Sequence, residues 1–428
     1  MVKLKREEVT EPQTGDAVTR ANDLALKRLS ETEPTLVGVG RAVDVIPGMD
    51  SRTLLHSGPP IAWERMQGPT RMALLGAMVY EGWAKDRDDA VLKLSAGYAV
   101  LGACHDHDAV GPMAGVISPS MPVFIVADAH EGNAKAFVTL NEGLGMVLRY
   151  GGWGSEVLAR LKWMETSLAP ALAAAVQDLG PVDLKSILVG ALTRGDECHN
   201  RSKAATALFL QKVAPPLVTT SFDRPEIRKI LEFLAGNEHF FLNLSMASAK
   251  VMTMRMATVE RSSLVTAMAS NGVEFGIRVA GLGSKWYLAP APHVDAKYFK
   301  GYTREDASPV LGDSAIVETV GLGAFALAAA PAIISFIGGT ADLALELTAR
   351  MRRICHDVSP DFKIPYLGYE GTPTGIDIRK VCGTGIVPVM DVGVAHREPG
   401  KGQVGAGLTS APLACFSQAC MDFDRLAA

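Results

Sequence analysis

Between Gly321 and Gly339 the chain reads GLGAFALAAAPAIISFIGG, without one charged side chain. Such a run has two destinations, a bilayer or a protein interior, and it approaches the roughly 20 residues that cross a membrane. Its apolar content is largely Ala and Gly, Pro331 interrupts it, and Glu318 and Asp342 flank it closely. Ala and Gly are weakly hydrophobic but allow close approach, so the stretch predicts a buried helix. A chain of 428 residues can build the surrounding interior and is expected to divide into two or three domains.

The remaining pattern is mixed. Val18, Ala21, Ala25 and Leu29, spaced by three and four, predict a helix over Gly15 to Glu31, and TLVGVGRA then predicts a strand. A Gly- and Pro-rich loop follows through Pro47, Gly48, Gly58, Pro59 and Pro60, before helix resumes at Met72 to Glu81. From Glu156 to about Leu217 the pattern is nearly continuously helical, with breaks at Gly180-Pro181 and Pro215-Pro216, and more helix follows from Pro225 to Leu264. After Asn271 short apolar runs alternate with glycines, which predicts strands, loops and one or two buried helices. The expected fold is α+β, with two mixed lobes at 1–150 and 221–428 and a small all-helical insert at 151–220. Regular βαβ alternation is missing from the pattern.

Several function classes lose support at this level. Lys plus Arg is 42 against 46 Asp plus Glu, and no run of five like charges stands out on a predicted helix face, so nucleic acid is not an expected partner. Six dispersed cysteines, without a CxxC pair, fit a reducing cytoplasm better than a disulfide framework. The opening MVKLKREEVTEPQTGD lacks the apolar region of a secretory leader. No GxSxG elbow or HExxH helix is present, and no nucleophilic cysteine signature.

Four polar clusters could carry chemistry. In CHDHDAVGP, His105 and His107 would face the same way on a strand, so the segment could hold a metal, bind an anionic substrate beside Asp108, or be a plain loop. In TRGDECHNRSKAA, Asp196 could simply cap a helix. The accumulation also suits Glu197 or His199 as an acid or base, Asn200 as a hydrogen-bonding group and Arg201 as a carboxylate clamp. Asn271, Glu274, Arg278 and Lys285 lie among glycines that suit either an anion cradle or a tight hairpin. Asp313 and Glu318 precede the apolar run as caps or as part of a second anion site. Two weaker groups are Glu64, Arg65 and Arg71, and the turn at Gly383 and Gly385.

Taken together, LLHSGPPIAWERMQGPTRMALLGAMVYEGWA, HDHDAVGPMAGVISPSMPVF, NEGLGMVLRYG, GDECHNRSKAA, NGVEFGIRVAG and GDSAIVETVGLGAFALAAAPA resemble the AllG/YlbE-like family, from about Val37 to Ser417. That resemblance implies a subunit of oxamate carbamoyltransferase from anaerobic allantoin catabolism, which works with FdrA-like and AllH-like subunits. The reaction would convert oxalurate and phosphate into oxamate and carbamoyl phosphate, without a cofactor. The isolated chain would be a homo-oligomer. Such chemistry requires a carboxylate clamp, a phosphate site, oxyanion donors and a proton carrier. Arg201 and Arg278 are the clamp candidates, the glycines near Lys285 or the loop at His105 the phosphate candidates, and His199, Glu197 or His107 the proton carriers. A non-catalytic scaffold and a metal-dependent ureide amidohydrolase are the competing expectations.

Overall fold

The computed structural model describes residues 17–427. The expected helix start at Gly15 and the opening Met1–Asp16 lie outside them. The fold is mixed α+β, as the sequence pattern predicts.

The helix Ala17–Glu31 buries Asn22, Ala25 and Leu29. The chain then enters a four-stranded antiparallel sheet in the order Lys135–Thr139, Pro122–Asp128, Pro34–Arg41, Val182–Asp183. Leu36, Phe124, Val126 and Val138 from this sheet share one core with Leu172, Leu188 and Phe209 from the helices, and with Phe240 and Phe241 from the turn before Leu242. Those helices are Ser155–Trp163, continued through a π-helical turn into Ala169–Leu179, then Leu184–Leu192 and Lys203–Leu217. Pro215 and Pro216 fall in the last turn of Lys203–Leu217, so they end the helix just behind themselves.

A second core gathers around a four-stranded antiparallel sheet, Leu311–Gly312, Val265–Asn271, Glu274–Val279 and Tyr287–Pro290. A three-stranded sheet of Asp295–Tyr298, Gln403–Ser410 and Val389–Ala395 joins it, with helices Ala341–Arg352, Ile378–Thr384 and Leu413–Ala427. A third, smaller core packs helices Gly68–Tyr80 and Arg87–Ser95 near the parallel pair Thr53–His56 and Val100–Ala103.

Two features of this arrangement position the site. The helix Leu242–Ala257 is buried over most of its length, because it touches the first sheet on one side and the strand Val265–Asn271 on the other. The apolar run is buried as expected from Gly321 to Ala330, but Pro331, Ala332, Ser335 and Gly338 beyond it are exposed, and it forms a 3-10 segment, Gly323–Ala329, followed by a short helix Pro331–Phe336 rather than one helix. Left-handed Gly321 and Gly323 at its start and Pro331 inside it prevent a continuous α-helix. Among the described residues, no helix is long and apolar enough to cross a membrane.

Candidate functional site

The loop between the strand Val100–Ala103 and the core is a 3-10 turn, Cys104–His107, closed by Asp108 in the left-handed region. This differs from the strand expected there, and the two histidines therefore diverge. The His107 ring contacts the Pro47 carbonyl oxygen at 2.8 Å, whereas His105 points inward and is 2% exposed. Among the described residues no three His, Cys, Asp or Glu side chains are grouped to hold a metal ion.

His105 reaches a cleft of about 750 Å³ whose walls include Asp106, Asp108, Lys250, Arg278 and Trp286. Its size is that of small-molecule sites. Lys250 Nζ donates to the His105 carbonyl oxygen at 3.3 Å, and Arg278 Nη1 donates to the same oxygen at 3.4 Å. Arg278 also pairs with Asp106 and lies 4.4 Å over the Trp286 ring, and His105 meets that ring edge-on. Both His105 ring nitrogens, Arg278 Nε and Trp286 Nε1 are buried without a hydrogen-bond partner. Buried polar atoms left unmatched cost about 1–3 kcal/mol each, and four of them belong to residues that line this cleft.

The electrostatics agree. Burial pushes Lys250 down to about 8, reinforced by Arg278 and opposed by Asp108, Asp313 and Asp106. Burial also pulls His105 well below its ordinary value, assisted by Lys250 and Arg278, so the ring is neutral at physiological pH. Behind it sits Asp313, whose two oxygens accept the Gly58 N–H at 2.6 Å and the Gly111 N–H at 2.8 Å. Burial lifts this carboxyl to about 7, against those N–H groups and both cations. The His105 Nε2 to Asp313 Oδ1 separation is 3.7 Å, beyond a direct hydrogen bond. Gly58 has φ +80°, and a Cβ there would overlap the Asn271 backbone nitrogen, so glycine is required where this loop meets the strand.

The second cluster forms where three distant segments meet. His199 Nδ1 contacts Glu318 Oε1 at 2.7 Å, and Asn200 Nδ2 donates to Asp391 Oδ1 at 3.0 Å. Glu197 accepts the Asn200 N–H at 2.6 Å and the Arg201 N–H at 2.8 Å, while Asp196 accepts those of Cys198, Ala204 and Ala205. Asp196 thus does cap the following helix. Cys198 takes φ 63°, a conformation that turns the loop sharply at a non-glycine residue. Burial raises Asp391 to about 7, and burial with the neighbouring Asp391 and Asp196 raises Glu197 well above a carboxylate's ordinary value. Burial pulls His199 down, but Glu318 and Asp391 outweigh it and its value rises.

The sequence candidates therefore divide. His105, Asp108 and Arg278 line the cleft, with Asp313 behind it, whereas Glu197, His199, Asn200, Arg201, Asp196 and Glu318 form the second cluster. One short segment joins the two, since it carries Asp313 to the first and Glu318 to the second. The other four candidates, His107 among them, belong to neither. Asn271 organises its own turn by accepting the Val273 and Glu274 N–H groups and donating to the Pro59 carbonyl. Glu274 pairs with Arg65 at 2.9 Å, and exposed Lys285 pairs with Asp422 on the last helix.

A family model described as oxamate carbamoyltransferase subunit AllG matches residues 100–314. The Escherichia coli (strain K12) protein named oxamate carbamoyltransferase subunit AllG is 40% identical over 406 residues, covering 94% of this chain and 97% of that one. The chain belongs to the AllG family. A second protein of the same organism, uncharacterized protein YahG, is 41% identical over 96% of this chain and 87% of its own length. A crystal structure of a conserved protein of unknown function from Enterococcus faecalis V583 superposes with a TM-score of 0.94 at 43% identity, over 97% of this chain and 99% of that one.

In this AllG-family chain, the matched segment holds every cleft-lining residue except Pro60. Sequence reasoning missed Lys250, Trp286 and Asp391. The signals were a lone Lys inside the otherwise uncharged LNLSMASAKVMTM and a lone Asp inside the strand Val389–Ala395. Both are charges where the apolar pattern leaves no room for one.

Proposed function

We propose that this chain supplies the substrate-binding and transfer site of an oxamate carbamoyltransferase-like enzyme, acting with FdrA-like and AllH-like subunits in anaerobic allantoin nitrogen catabolism. The observation that carries the proposal is the convergence of Lys250 and Arg278 on one cleft wall beside an unpartnered, buried His105. The AllG relative's name supports the choice of reaction.

In this reading the two cations draw the oxalurate carboxylate and phosphate into the cleft, and Asp106 and Asp108 keep its charge balanced. A phosphate oxygen attacks the carbamoyl carbon, and the bond from that carbon to the oxamate nitrogen breaks. Carbamoyl phosphate leaves with the new C–O bond. The proton lost by phosphate passes to the departing nitrogen, and neutral His105 is suited to the transfer, accepting at one ring nitrogen and donating from the other.

The test runs the reaction backwards. The chain, alone and with its FdrA-like and AllH-like partners, is given carbamoyl phosphate and oxamate, and oxalurate and phosphate release are measured. Release by the complex is the expected result. No release in any combination would sink the oxamate assignment.

A further inference from the structure

Beside the second cluster lies a separate cavity of about 310 Å³, lined by Asn200, Arg201, Ser202, Lys203, Glu238 and His239 together with Ala332 and Ile333. Its polar wall is unusual in what it leaves unused. The two acids nearest in sequence to Arg201 are occupied by backbone amides, Asp196 by Cys198, Ala204 and Ala205, and Glu197 by Asn200 and Arg201. The Arg201 guanidinium forms no ion pair among the described residues. Ser202 is 1% exposed, and its Oγ is buried without a partner. It stands at the N-cap of Lys203–Leu217 yet makes no side-chain cap, because Asp196 already takes the Ala204 and Ala205 N–H groups. Lys203 and Glu238 form an ion pair at the rim, where their charges cancel. His239 is pulled down to about 4 by burial and by Arg149, and is neutral. The net charge facing the cavity is thus that of Arg201.

We infer that this cavity is a second binding site, for a small oxyanion such as inorganic phosphate or a short carboxylate, held by the Arg201 fork and the Ser202 hydroxyl. A planar guanidinium without a carboxylate of its own matches two oxygens of such an anion. The orphaned hydroxyl supplies a third donor at the cost of no existing hydrogen bond. The volume admits a small molecule and little more. The site is distinct from the cleft at Lys250 and Arg278, with which it shares no lining residue.

The experiment is calorimetric titration of the purified chain with inorganic phosphate and, separately, with oxamate, with folding of each variant checked by circular dichroism. At least one of the two anions is expected to bind with a stoichiometry of two, and which one does so tells phosphate from carboxylate. Arg201→Gln should remove one site and leave the other, and Arg278→Gln the reverse. Arg201→Lys keeps the charge but loses the fork, and should weaken the second site roughly tenfold, the worth of about one charge-assisted hydrogen bond. Ser202→Ala should weaken it by a smaller factor. A single site abolished by Arg278→Gln alone would overturn this inference and leave the cleft intact. So would unchanged affinities in Arg201→Gln, or no binding of either anion. Two sites indifferent to Arg278→Gln would support it while sinking the reading of the cleft.

Discussion

Lys250 and Arg278, from a central helix and a strand of the second sheet, both donate to the carbonyl oxygen of His105. One backbone oxygen cannot satisfy two cations. Asp106 answers Arg278 in part, and Lys250 is held nearly out of water without a carboxylate in direct contact among the described residues. The pair is therefore a stored cost, which the proposed anion would recover.

That cost has a measurable sign. The Lys250 value in the folded chain lies near 8, below its unfolded value, so its charge opposes folding below pH 8 and the penalty fades as pH rises towards 10. Lys250→Met should raise stability at pH 7 by up to about 3 kcal/mol and flatten its rise between pH 8 and 10, while anion binding to the cleft is lost. Denaturant unfolding at both pH values checks this. A variant less stable than wild type at pH 7 would contradict it.

Asp313 behaves oppositely. Its folded value, near 7, lies above the unfolded one, so the stability it contributes is complete below about pH 4 and lost as pH rises through 7. Asp313→Asn should remove that slope. It should also destabilise the fold by about 1–3 kcal/mol, since an amide N–H must then face the Gly58 or Gly111 N–H. Unfolding curves between pH 4 and 8 are the measurement, and an unchanged slope would refute the role given to this carboxyl.

Glu318 is the main group holding the His199 value up against burial. Glu318→Gln should lower the His199 titration midpoint, seen in ring proton shifts by NMR. The stability from the pair, present below His199's unfolded value and lost as pH rises through the folded one, should vanish with it. A midpoint that does not move would show that another group sets it.

Gly58→Ala forces a left-handed backbone on alanine and a Cβ onto Asn271. A loss of roughly 2–4 kcal/mol is expected, with weakened anion binding because the Gly58 N–H orients Asp313. Thermal unfolding and titration of the same sample read both. Unaltered stability would mean that the loop can withdraw freely.

The fold class was legible because helical spacing, Gly-Pro punctuation and the uncharged run at Gly321 each act locally. What escaped was long-range. Nothing near His105 in sequence reveals that it would meet Lys250, Arg278 and Asp313, contributed by separate elements. The alternation that suggested a strand at His105 and His107 failed because the chain turns there in a 3-10 helix, which separates the rings. Lys285 looked like an anion ligand from its glycine neighbours, but the last helix brings Asp422 to it. Conversely, GDECHNR showed its density of polar groups plainly, while its partners Glu318 and Asp391 come from segments beyond the reach of local pattern.

The central claim is that carbamoyl transfer occurs in the cleft of Lys250, Arg278 and His105. It is tested most directly by measuring oxalurate release from carbamoyl phosphate and oxamate in complexes reconstituted with wild-type, Arg278→Gln or His105→Ala chains, each shown by size-exclusion chromatography to assemble fully. Activity at least a hundredfold lower in both variants, about 3 kcal/mol of lost transition-state stabilisation, is the predicted result. Wild-type turnover in either assembled variant would place the chemistry on a partner subunit and leave this chain as its scaffold.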